Sequence, residues 1–147
     1  MGVAMTAAAG PHFINLDLEF DSAVDPAPLA RHFGERVCVL YCGAAGSGFR
    51  LVLEAEIDYA ARGDVQRLTV HFLRLLETLP PALRALWDQG RSRVFDYGFE
   101  GGAAGTAVCM RQLDVDCLRR IATLGAGLHI TVYPPSPPAP PANQREG

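Results

Sequence analysis

Two stretches of the chain carry carboxylates at a spacing of two. Asp17, Glu19 and Asp21 alternate with Leu16, Leu18 and Phe20, and Glu54, Glu56 and Asp58 alternate with Leu53, Ala55 and Ile57. A period of two puts each acidic set on one face of a strand, while the apolar set must face a core. If the strands are neighbours, up to six carboxylates share one surface. Such a surface can serve to keep a sheet face solvated and deter edge pairing. It can also serve as a docking surface for a basic protein, where charge complementarity speeds association and sets specificity. The candidate interaction residues are Asp17, Glu19, Glu54 and Glu56.

A second constellation is aromatic and cationic. Trp87 and Tyr97, with Arg91 and Arg93 beside Asp88 and Asp96, could surround a pocket in which arginine forks recognise a carboxylate. The competing reading has the aromatics in the core and the arginines in an intramolecular ion-pair cluster. Other chemistry finds no motif. The four histidines and four cysteines form no CxxC or HxxxH pair. Cys38 and Cys42, on one strand, would stand roughly 13 Å apart, too far to share a tetrahedral ion. Neither a metal nor another cofactor is expected on these grounds. The segment Gly43-Ala44-Ala45-Gly46-Ser47-Gly48 precedes a strand and lacks a following Lys-Ser/Thr, so it reads as a hairpin turn and not as a phosphate loop. A thiol nucleophile from Cys109 or Cys117 with His129 has no supporting motif, and no catalytic residue is assigned.

Composition narrows the class. The chain has 147 residues, 49% hydrophobic and 20% charged, with a formal net charge of −3. That balance fits one globular domain and lacks the basic footprint of a nucleic-acid or anionic-membrane binder. The basic residues are arginines without a single lysine, a usage expected of GC-rich coding sequence. Residues 12–58 hold eight acids against three arginines, whereas 59–93 hold three acids against six arginines. Met1 to Gly10 has neither a basic start nor a long apolar run, and the cysteines form no spaced framework, which predicts a cytoplasmic protein with reduced thiols.

Several elements must position these residues. The pattern predicts strands at His12–Phe20, Val37–Cys42, Phe49–Asp58, Arg93–Phe99, Thr106–Gln112 and Leu128–Tyr133. Helices are expected after Asp25-Pro26, from Asp64 to Leu79, from Pro81 to Gln89 and from Asp114 to Leu124. Val37–Cys42 is apolar on both faces and reads as a central strand. The order β-α-β-β-α-α-β-β-α-β predicts an α+β domain over residues 12–133, with a mainly antiparallel sheet of about six strands and three to four helices. Residues 1–11 read as a disordered N-terminus, and the proline-dense residues 134–147 as a disordered tail.

Three segments together resemble an uncharacterised bacterial protein family, a domain of unknown function. They are Leu86-Trp87-Asp88, Arg93-Val94-Phe95-Asp96-Tyr97-Gly98-Phe99, and Thr131-Val132-Tyr133-Pro134. Members of that family carry a Leu-Trp-Asp helix end, a Phe-x-Ile-Gly-Tyr strand and a Thr-x-Tyr-Pro strand. Here Tyr97 stands at the isoleucine position, and Gly90 where many members have cysteine. The resemblance implies a single bacterial domain and assigns no substrate, cofactor or catalytic residue.

The sequence therefore reads as a non-catalytic interaction domain, such as an inhibitor or an immunity-like, toxin-neutralising protein, binding a basic partner through its acidic face. The alternative is a small-molecule-binding or catalytic domain with a pocket near Trp87, Arg91, Arg93 and Tyr97. A third reading is a structural homo-oligomer.

Overall fold

Alternation along β1 (His12–Ser22) organises the molecule. Leu16, Leu18 and Phe20 turn to one side and are buried, and Asn15, Asp17, Glu19 and Asp21 turn to the other. In this computed structural model, which describes residues 10–137, β1 is the middle strand of five in the order β2-β3-β1-β4-β5. β2 (Val37–Ala45) and β3 (Gly48–Ala55) form the expected hairpin, and β3 then runs antiparallel to β1. β4 (Ser92–Glu100) is antiparallel to the other edge of β1, and β5 (Gly127–Tyr133) lies parallel to β4. The expected disorder of residues 1–11 and 134–147 falls largely on 1–9 and 138–147, which lie outside the described residues.

The fold is thus α+β, with two corrections to the expected sheet. The first is the strand count, five among the described residues where about six were expected, because residues 101–114, including the expected strand Thr106–Gln112, carry no regular strand; three of the four pairings are antiparallel, as expected, and the fourth is parallel. β4 has one free edge once β1 occupies the other, and the β-branched run of β5 takes it. Because that pairing is parallel, it needs a crossover, which α4 (Val115–Thr123) supplies. The second correction concerns β2, which is an edge strand and not a central one. Val39 and Tyr41 are each 46% exposed, and a bulge at Leu40 shifts the register between them.

A bulge also interrupts β1. Phe13 pairs with Phe99 and Asn15 with Gly98, so Ile14 is the extra residue and the inward phase changes from odd to even across it. Phe13 is therefore buried against Phe99, while Ile14, which shares the even phase of Leu16 and Leu18, is 45% exposed.

Helices cover the Leu16/Leu18/Phe20 face. α1 (Ala27–Phe33) contributes Leu29 and Phe33, and α2 (Val65–Glu77) contributes Leu68, Phe72, Leu73 and Leu76. Asp64 caps α2 by accepting from the Arg67 N–H, and Asp114 caps α4 by accepting from the Cys117 N–H, both as the sequence predicts. α3 (Pro81–Asp88) delivers Trp87, which is 1% exposed, stacks on Phe20 and donates its indole N–H to the Leu124 carbonyl. Gly90 sits where an added Cβ would run into the Phe20 ring. No helix among the described residues is long and apolar enough to cross a membrane.

Candidate functional site

With α1 to α4 on one side, no helix among the described residues covers the other side of the sheet. Its side chains follow from register. Asp17 lies directly opposite Glu54 on β3 and Asp96 on β4, and Asp96 is in turn level with His129 on β5. Glu19 stands between Val52 and Val94, one diagonal step from Asp96. Three adjoining strands, β3, β1 and β4, thus set Asp17, Glu19, Glu54 and Asp96 side by side.

Few donors answer these acceptors. The Asn15 amide bridges two of the carboxylates, donating to Asp17 Oδ1 at 3.1 Å and to Glu54 Oε1 at 2.9 Å. Gly98, opposite Asn15, leaves room for that bridge, since a Cβ there would meet Asn15 Oδ1. Thr131 Oγ1 donates to Asp96 Oδ1 at 2.7 Å. Arg50, the face's one arginine among the described residues, is taken by Asp21 in a bidentate pair at 2.7 and 2.9 Å.

The consequence is electrostatic. Partial burial, followed by the charges of Glu54, Asp96 and Glu19, pushes the Asp17 carboxyl up to about 6. Burial and Asp96 also push Glu19 up, against a smaller opposing pull from Arg50. Asp21, bonded to Arg50, is held below the usual carboxylate range. The four central carboxylates therefore repel one another in a setting that solvent screens only in part.

One group within this face has a donor set suited to a cation. Glu19, Asp96 and His129 each bring a ligand atom within 4.8 Å of the others. Sequence spacing does not bring these three residues together. Alternation can place Asp96 opposite Asp17 once β1 and β4 are paired, whereas His129 arrives only through the parallel register of β5.

Of the expected interaction residues, Asp17, Glu19 and Glu54 do share a face, and all three are partly buried rather than freely exposed. Glu56 stands apart from them in its interactions. It follows the last residue of β3, its carboxylate is 3.8 Å from Arg62, and it lines a surface hollow with Arg36, Arg67, His71 and Arg74.

The expected pocket residues have other occupations. Trp87 is in the core, and Tyr97 is buried with its hydroxyl 2.7 Å from Thr69 Oγ1. Arg93 donates to the carbonyls of Trp87, Asp88 and Gly90 through Nη1 and to that of Gly125 through Nε. It thereby satisfies backbone acceptors at the ends of α3 and α4, where a cation also suits the helix dipoles. Arg91 reaches Ser47 Oγ at 3.2 Å across the β2–β3 turn. Compared with protein-family models, curated proteins and solved structures, the chain matches none.

Proposed function

We propose that this chain is a non-catalytic binding domain whose uncovered sheet face docks a cationic protein partner. One observation carries the reading: Asp17, Glu19, Glu54 and Asp96 stand in direct or diagonal register on three adjoining strands, while Arg50, the one arginine of the face among the described residues, is committed to Asp21. Like charges set directly across strands are destabilising. A face kept only for solubility is served as well by mixed signs, which avoid that repulsion. Arginine or lysine side chains from a partner would relieve it, and the negative field would speed their approach. An inhibitor or immunity-like role fits this chemistry. The proposal sets the domain in a bacterial cytoplasm, where an exposed thiol such as Cys42 stays reduced, and within the uncharacterised family that its Leu-Trp-Asp and Thr-x-Tyr-Pro segments resemble.

Affinity capture from the native host tests the reading with two baits, the unaltered chain and a variant carrying Asp17→Asn, Glu19→Gln, Glu54→Gln and Asp96→Asn. The expected result is a partner enriched by the first bait and lost from the second. Association of that partner with the unaltered chain should slow several-fold on raising salt. Identical captures by both baits, or none by either, would remove the proposal's support.

A further inference from the structure

We propose that Glu19, Asp96 and His129 form a binding site for a divalent transition-metal ion of the zinc, cobalt or manganese class. The proposal stands on this triad alone and does not depend on the docking partner.

Three strands build the site. Glu19 comes from β1, Asp96 from β4 and His129 from β5, and their ligand atoms lie within 4.8 Å of one another. Ligands bound to zinc at about 2.0–2.2 Å sit roughly 3–3.5 Å apart, so modest side-chain rotation closes the triad on an ion. The strands beneath are fixed by ladder pairing on both sides of β1 and β4, so the three Cα positions are held before any ion arrives.

The donor types select the class of ion. A purely acidic patch would be a generic attractor of hard cations, but here an imidazole is level with Asp96 in the β4–β5 ladder. One nitrogen and two carboxylate donors suit borderline ions such as zinc and cobalt better than calcium or magnesium, which favour all-oxygen sets, and the harder manganese can also be held by such a set. Two further features fit a ligand role. Thr131 Oγ1 donates to Asp96 Oδ1, the kind of outer bond that orients a metal-binding carboxylate. Arg50, the cation that would otherwise answer Glu19, is held in the bidentate pair with Asp21. Two carboxylates balance a divalent charge, and Asp17 and Glu54 next to them deepen the attraction. All three ligands rise from one sheet surface, so the outward coordination positions stay open to water or to a donor atom from another molecule.

The test uses the full tag-free chain, stripped with chelator and titrated with Co²⁺ by visible absorption and with Zn²⁺ by calorimetry. The expected result is one ion per chain, with binding weakened at least tenfold by His129→Gln and by Asp96→Asn. Thr131→Val should weaken it by about tenfold, the lower end of the range for outer-shell partners. Asp17→Asn and Glu54→Gln should change it less than His129→Gln does. Circular dichroism verifies that each variant is folded. Should a variant fail to fold, Mn²⁺ added to the unaltered chain decides the question, because amide resonances around residues 19, 96 and 129 must broaden first. No binding at millimolar ion, binding indifferent to His129→Gln and Asp96→Asn, or broadening centred elsewhere would overturn the site.

Discussion

Carboxylates on the two sides of this sheet live under opposite rules. On the helical side, Glu77 at the end of α2 meets Arg120 of α4, which also reaches Asp116, and the bonded guanidinium holds Glu77 below the usual carboxylate range. On the uncovered side, Asp17 meets Glu54 and Asp96, and its carboxyl is pushed up to about 6. The same residue types thus stabilise one layer and strain the other. Glu77 and Asp116 share an arginine, and on the open face Asp21 takes Arg50, whereas Asp17, Glu19, Glu54 and Asp96 at its centre are set against one another. That difference is what supports the docking role proposed for the open face.

The contrast can be broken or sharpened by substitution. The largest effect is expected at the covered face, where Trp87→Ala removes the ring stacked on Phe20 and the bond to the Leu124 carbonyl. Loss of such a buried aromatic costs about 3–5 kcal/mol, to be read from urea unfolding. Asp17→Asn should act in the opposite direction and stabilise the fold above pH 6. A folded value near 6, against an ordinary 3.8, means that the ionised carboxylate opposes folding. After discounting for solvent screening, the gain at neutral pH is about 1 kcal/mol. The sign follows from linkage: the raised group favours the fold fully below the ordinary value and loses that contribution as pH rises through about 6. The advantage of Asp17→Asn should therefore appear over that same window and vanish at pH 3.5. A neutral or destabilising outcome at pH 8 would mean that the open face is not strained. The smallest effect is expected for Glu77→Gln, which breaks a partly exposed pair and costs about 0.5–1 kcal/mol. Its pH dependence should be reversed, since a lowered group stabilises above its ordinary value and loses that contribution as pH falls through its folded value.

Alternation made half of the open face legible in the sequence. Leu16, Leu18, Leu53 and their neighbours had to be buried, so Asp17, Glu19 and Glu54 had to lie on the other side. The caps at Asp64 and Asp114 were legible for a similarly local reason, since a carboxylate before an amphipathic run satisfies free N–H groups wherever the helix later packs. What the sequence concealed was pairing. A period of two says which way a side chain turns and nothing about which strand lies beside it, so β2 looked central and Thr106–Gln112 looked like a strand. Val108 and Met110, the apolar residues of that segment, instead point to solvent. His129 joined the acidic face only because β5 pairs with β4, a contact between segments distant in sequence. The Ile14 bulge was hidden for another reason: one extra residue reverses a phase without altering composition. Trp87 and Arg93 sat on the helix end and strand where a pocket was expected, but their partners proved to be Phe20 and backbone carbonyls.

The closeness of Gly90 to the Phe20 ring has a consequence for which residues can replace either one. The two positions are coupled: while Phe20 fills that space, any side chain at 90 collides with it, and a residue with a Cβ is accommodated there only if position 20 shrinks or the ring moves. Substituting Gly90 alone therefore strains the core, whereas pairing that change with a smaller residue at position 20 opens the space it needs.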